Sequence, residues 1–102
     1  MPNSLTKGLR PIHPGELLRE DVLPALGRPK AEIAALLGIS RQHLYDLMRE
    51  RKGVTPAMAL RIGKLTGTTP ESWLDMQRNY DLAKAQEQLG RALDDIPTLS
   101  AA

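Results

Sequence analysis

Residues 38–51 read GISRQHLYDLMRER, and they divide into a turn and a helix. Gly38 stops whatever helix precedes it, because glycine takes the left-handed C-cap conformation without strain. Ser40 is a residue type that caps a helix N-terminus. Beyond it, Leu44, Leu47 and Met48 fall three and four apart and form one apolar stripe. The remaining surface carries Arg41, Gln42, His43, Tyr45, Arg49 and Arg51. A helix with one narrow buried stripe and this many outward donors is suited to meeting a partner rather than only water.

The segment before the turn completes a motif. A helix starting at Pro29 and running to Leu37 would bury Ile33, Ala34 and Leu37. Two short helices joined by a glycine turn describe a helix-turn-helix. Ala34 is small where the helices cross closely, and Gly38 turns four residues later. Ile39, Leu44 and Leu47 are apolar where the second helix must bury, and Ile33 and Leu37 pack from the first. All seven core positions carry a suitable residue.

Helix punctuation places the rest. His13-Pro14-Gly15-Glu16 opens a helix with Pro at its first position and Glu near its positive end. Leu17, Leu18, Val22 and Leu23 are its buried stripe, and Pro24 ends it or forces a loose last turn. Thr55-Pro56 opens a fourth helix carrying Met58, Ala59, Ile62 and Leu65, which Gly67 ends. Thr69-Pro70-Glu71 repeats the start signal for a fifth, with Trp73, Leu74, Gln77 and Tyr80 on one side and a weaker pattern through Leu82, Ala85, Leu89 and Leu93. No segment alternates long enough for a strand. The fold class is therefore all-α, with five helices. Residues 12–83 form the helix-turn-helix domain and 84–102 a helical extension and tail. Residues 1–11 and 97–102 are read as disordered.

Composition agrees with a small helical protein. The 102 residues contain no Phe and no Cys, so the core must come from Leu, Ile, Val, Met and Ala, and thiolate or disulfide chemistry is absent. No apolar run approaches the roughly 18 residues that span a bilayer, and no apolar segment follows the N-terminal basic residues as in a signal peptide. A cytoplasmic, non-membrane protein without a cofactor or metal is expected. The net charge of +2 is unevenly placed. In residues 28–52, Arg28, Lys30, Arg41, Arg49, Arg51 and Lys52 outweigh Glu32, Asp46 and Glu50. In residues 70–102, Glu71, Asp75, Asp81, Glu87, Asp94 and Asp95 outweigh Arg78, Lys84 and Arg91. A basic middle suits a polyanion.

The second helix of such a motif lies in the DNA major groove with its N-terminal residues at the base edges. Arg offers a bidentate donor pair to guanine and Gln pairs with adenine. Arg41 and Gln42 stand in that place, and Tyr45 and Arg49 follow on the same face. These four are the candidate base readers. Arg28 and Lys30, at the start of the preceding helix, and Ser40, Arg51 and Lys52 are the candidate phosphate contacts. His43 is an exposed polar residue rather than a base contact.

The stretches HPGELLREDVLPALG and EIAALLGISRQHLYDLMRERKGVTPAMALRIGKLTGTTPESWLDMQRNYDL resemble the HigA (VapI-type) antitoxins, a branch of the XRE, lambda-repressor-like family. The resemblance covers residues 9–83. It implies a five-helix DNA-binding domain that forms a homodimer, represses its own operon from double-stranded operator DNA with an inverted repeat, and neutralises a RelE-like, HigB-type ribonuclease toxin. Three departures stand out. Arg49-Glu50 replaces the usual Asn-Gly, so the recognition helix is expected to run a turn longer. Gly63 replaces the usual Ala inside helix four, at a cost of about 0.5–1 kcal/mol unless close packing compensates. Arg28-Pro29 replaces a Ser-type cap, so the second helix starts without a side-chain acceptor.

Other functions fit less well. His13 and His43 lie in separate helices with no metal-binding spacing, and the adjacent carboxylates of Asp94-Asp95 point apart, so an enzyme is not expected. His13 reads as a helix-start residue, and Trp73 and Tyr80 as core. A domain used only for protein contacts has no need of Arg41, Gln42, Lys30 and Arg49. A stand-alone XRE repressor without a toxin is the alternative that the neighbouring gene would separate. The dimer interface is expected from helix five onward.

Overall fold

The computed structural model describes residues 10–100. Among these there are helices and no strand: α1 over residues 14–26, α2 Lys30–Leu37, α3 Arg41–Met48, α4 Pro56–Thr66 and α5 Pro70–Leu89, which passes into a 3-10 turn at Gly90–Leu93. Of the chain ends read as disordered, residues 1–9 and 101–102 lie outside the described residues, while 10, 11 and 97–100 carry no regular structure.

The caps are where the sequence places them. Ser40 Oγ accepts from the His43 N–H at 3.0 Å, Thr55 Oγ1 from Met58 at 3.2 Å, and Thr69 Oγ1 from Ser72 at 3.2 Å. Each is worth about 1 kcal/mol of helix stability. Lys30, not Pro29, is the first residue of α2. Pro29 caps it with its backbone carbonyl alone, and no side chain serves as acceptor.

The α1 cap is a histidine. His13 is buried, and its Nδ1 accepts from the Gly15 N–H at 2.9 Å. Tyr80 of α5 meets its ring edge-on at 4.9 Å. Burial lowers its pKa from the ordinary 6.5, with Lys84 acting in the same direction and Glu50 and Asp81 opposing. Below that value the unfolded chain takes up the proton first, so stability is full above about pH 6.5 and falls as pH drops through the folded-state value. The melting temperature is expected to fall between pH 7.5 and 5. His13→Asn, whose amide caps without titrating, should flatten that slope; parallel slopes for the two proteins would contradict the assignment.

Pro24 does not end α1. The helix passes through it as Pro14–Leu17, a π-helical turn at Leu18–Val22, and Leu23–Leu26, stopping at Gly27 in the left-handed region. The Leu23 N–H donates to Leu18 O, five residues back. Proline lacks the N–H for the next helical bond and its ring crowds the preceding turn. Widening that turn into a π-bulge accommodates both defects.

The core gathers Leu18 and Leu23 of α1, Ile33, Ala34 and Leu37 of α2, Leu44, Leu47 and Met48 of α3, Val54 of the following loop, Met58, Ala59 and Ile62 of α4, and Trp73 of α5. Leu17, Val22, Ile39 and Leu65 pack around it, partly buried. Burying a leucine side chain fully contributes about 1.5–3 kcal/mol, and Leu44 and Leu47 have no exposed surface. The closest approach is backbone to backbone. A Cβ added to Gly15 would lie 1.8 Å from the carbonyl oxygen of Leu47. Gly63 is another tight place, where a Cβ would meet the backbone Thr68 O at 2.8 Å and the Pro70 ring at 3.3 Å. Close packing of α4 against the start of α5 thus compensates the glycine.

Polar groups tie α5 to the body. Gln77 is buried; its Oε1 accepts from the Val54 N–H at 2.8 Å and its Nε2 donates to Asp81 at 3.0 Å. Trp73 Nε1 donates to Thr68 Oγ1 at 2.7 Å, and Thr66 Oγ1 lies 2.7 Å from that hydroxyl and from Ile62 O. Since Thr66 uses its proton on Ile62, Thr68 donates to Thr66, and one directed chain of bonds closes the α4–α5 corner. From Lys84 onward every described residue is exposed. The last part of α5 is therefore an arm clear of the core.

Candidate nucleic-acid interface

The interface is built on the two helices of the motif. Helix α2 ends on Gly38 at φ +74, with the Gly38 N–H on Ala35 O at 3.1 Å and the Ile39 N–H on Ala34 O at 3.0 Å. That is a Schellman closure. Arg61 of α4 adds Nη1 donation to Leu37 O at 2.7 Å. The turn is thus closed from inside by glycine and from outside by an arginine, and Ser40 starts α3 two residues on. The seven core positions of the motif sit where the spacing puts them: Ile33, Ala34, Leu37, Leu44 and Leu47 are buried, Ile39 is half-buried, and Gly38 makes the turn.

Helix α3 stops at Met48. The extra turn expected from Arg49-Glu50 is not formed. Glu50 instead takes φ +63, the only non-glycine residue at positive φ among those described. The Glu50 N–H donates to Leu47 O at 3.1 Å and the Arg51 N–H to Asp46 O at 2.8 Å. Glutamate thus occupies the left-handed position of a second Schellman closure, at a cost of about 1–2 kcal/mol that glycine would not incur. The helix ends here in a closure that satisfies the carbonyls of Asp46 and Leu47.

The candidate base readers share one surface. Arg41 and Gln42 are exposed at the first turn of α3. Gln42 Nε2 donates to Asp46 Oδ1 at 2.9 Å, which steadies the amide and leaves its oxygen and second N–H outward. Tyr45 is half-buried, its ring partly packed on the core. The Arg49 guanidinium lies 5.4 Å above that ring, a cation–π contact that sets the arginine over the tyrosine. His43 is half-buried beside them.

The candidate phosphate contacts flank that surface in sequence. Lys30 is exposed on the first turn of α2. Arg28 is exposed too, but its guanidinium is paired with Glu32 one turn on, so part of its charge is already neutralised. Ser40 spends one lone pair on the cap and keeps its O–H to donate. Arg51 and Lys52 are exposed in the bend after α3, with both backbone N–H groups on Asp46 O. Arg19 and Arg61, which position the motif, are absent from the sequence reading, and Gln77 enters it only as one side of helix five, not as a partner of Val54. Their partners are 23 to 31 residues away, and no local spacing signals such contacts. Glu50 had a signal: the resemblance to the HigA-type pattern puts glycine at that place, and a glycine of that kind marks positive φ.

Among the described residues no three His, Asp or Glu side chains form a group that could hold a metal ion. No helix among them is long and apolar enough to cross a membrane.

Residues 18–74 match the helix-turn-helix family. Virulence-associated protein I of Dichelobacter nodosus is 40% identical over 76 residues, 74% of this chain and 70% of that protein. The structure of antitoxin GraA in complex with its operator matches with a TM-score of 0.82 and 41% identity, over 93% of this chain and 97% of that one. Pseudomonas aeruginosa antitoxin HigA with the higBA promoter matches at 0.82 and 35% identity, over 89% of this chain and all of that one.

Proposed function

From the premise that this chain belongs to the helix-turn-helix family that includes the HigA antitoxins, we propose that it is a sequence-specific DNA-binding antitoxin that represses its own operon and neutralises a RelE-like ribonuclease toxin. The family is one of DNA-binding regulators, not of enzymes. One observation carries the reading: Arg41, Gln42, Tyr45 and Arg49 share the outward surface of α3, on a scaffold that matches two operator- or promoter-bound antitoxins over most of its length. Bases are read from that surface, and Lys30, Ser40, Arg51 and Lys52, with Arg28 in a lesser part, hold the backbone. The setting is the cytoplasm. The test is a gel shift on DNA upstream of the gene against random DNA, across a salt series. Operator binding that is tighter and less salt-sensitive than random binding supports it; equal affinity for the two removes the sequence-specific part. The toxin is tested separately, by co-purification with the product of an adjacent RelE-like reading frame. Its absence leaves a stand-alone repressor.

A homodimer belongs to the same proposal. Leu82, Leu89 and Leu93 are 61%, 50% and 40% exposed along the arm that follows the core, and one module of this size gives little specific affinity alone. Two copies joined there, from helix five onward, would set their recognition helices about one DNA turn apart, roughly 34 Å, on an inverted repeat. Light scattering should report twice the chain mass at micromolar concentration, and footprinting a symmetric pair of protected half-sites. A monomer with and without DNA would sink this.

A further inference from the structure

Glu50 sits in the left-handed region with nothing in its own side chain to favour it, so the cause must come from elsewhere in the fold. It comes from α1. Gly15 brings α1 onto the Leu47 carbonyl, and Arg19, four residues on and therefore on the same face, reaches the end of α3. Its Nη1 donates to Met48 O, a carbonyl that the Schellman closure leaves without a helical partner, and lies 3.4 Å from the Glu50 carboxylate. Its Nε is held by Glu20 at 2.9 Å. One guanidinium therefore joins the last helical carbonyl to the side chain of the residue that turns the backbone.

We propose that Arg19 is a positioning residue for nucleic-acid binding: by bridging Met48 O and the Glu50 carboxylate it holds Glu50 left-handed and so fixes where Arg51 and Lys52 present their charge. This rests on the reading of Arg51 and Lys52 as phosphate contacts. The competing state is plain from the chain itself. With Glu50 right-handed, α3 continues by about a turn, Arg51 and Lys52 rotate around the helix axis, and the Arg51 N–H leaves Asp46 O. Arg19 selects against that state although it touches no DNA. Arg61 does the corresponding service at the end of α2, but there glycine already favours the turn, so only α3 depends on its arginine.

The test compares Arg19→Met, Arg19→Lys, and Arg19→Met combined with Glu50→Gly. In Arg19→Met, log K against log salt should flatten by about 1–2, since each phosphate contact contributes about 0.9 to the slope, with operator and random DNA weakened by the same factor. The double variant should regain the wild-type slope, because glycine takes φ +63 without the bridge. Arg19→Lys, with one charged donor group, should fall between. A melting point lowered in Arg19→Met with its salt slope unchanged, or a double variant that stays flat, overturns the proposal. Arg19→Lys carries the comparison if Arg19→Met does not fold. The carbonyl partner of the Arg51 N–H, read without DNA as a scalar coupling across the hydrogen bond, keeps this separate from the DNA reading: it is Asp46 in the closure and should become Leu47, as in a continued helix, in Arg19→Met and return to Asp46 in the double variant, and a partner that stays Asp46 throughout overturns the bridge even if the wild type binds no operator.

Discussion

Gly15→Ala is expected to cost about 3 kcal/mol or more, beyond the usual range for overpacking, and to lower the melting temperature by at least about 12 °C. The added methyl would sit 1.8 Å from Leu47 O. The two nearest atoms, Leu47 O and C, are backbone, so no rotamer change relieves that clash, and His13 Nδ1 stands close as well at 3.1 Å. The Leu47 carbonyl cannot retreat, because it accepts from the Glu50 N–H in the closure of α3. Helix α1 cannot lift, because Leu18 and Leu23 are buried beneath it and the His13 cap is fixed against Tyr80. Thermal unfolding by circular dichroism reads the effect. A melting temperature within about 4 °C of wild type would mean that the two backbones stand further apart than described.

Arg41→Ala and Gln42→Ala should each weaken operator binding by about 1–3 kcal/mol and relax preference at one base pair. Lys30→Ala should instead weaken operator and random DNA alike and reduce the salt slope by about one. The contrast follows from position. Arg41 and Gln42 open α3, the helix proposed to read bases, while Lys30 lies on the first turn of α2, where N–H groups and positive charge suit a phosphate. All three side chains are exposed, so melting temperatures should stay near wild type and folding does not confuse the comparison. Competition titrations against single-base operator variants decide it. If Arg41→Ala and Lys30→Ala weaken operator and random DNA by one common factor, Arg41 holds phosphate, and the reading of bases passes to Tyr45 and Arg49.

Helix ends were the legible part of this chain. Ser40, Thr55, Thr69, Gly38 and Gly67 act on residues three to five away, so their chemistry is written in adjacent letters. The apolar spacing likewise identified the buried residues of the motif. Long-range accommodations were not legible. Pro24 reads as a stop, yet a π-turn carries the helix past it to hold Leu23 in the core. Arg49-Glu50 reads as helix, because helix propensity is local and the Arg19 contact is not. Gly15 reads as part of a start signal, whereas its larger role is the absence of a side chain facing Leu47. For the interface, residue types and their places on α3 could be named from spacing. The ion pair that draws Arg28 toward Glu32, and the stacking of Arg49 on Tyr45, required coordinates.

The Gln77 amide has a consequence for geometry beyond its own neighbourhood. Sliding α5 by one turn along its groove would preserve much of its apolar burial but strand the Val54 N–H and the Gln77 oxygen, each at about 1–3 kcal/mol. Hydrophobic contact alone would tolerate several registers; the amide admits one. It works as an index pin, and because α5 is a single rigid rod about 30 Å long, a small error at Gln77 would become a large displacement at Leu89. The bearing on which the arm leaves the domain is therefore set by this buried amide together with the Trp73–Thr68 bond at the α4–α5 corner.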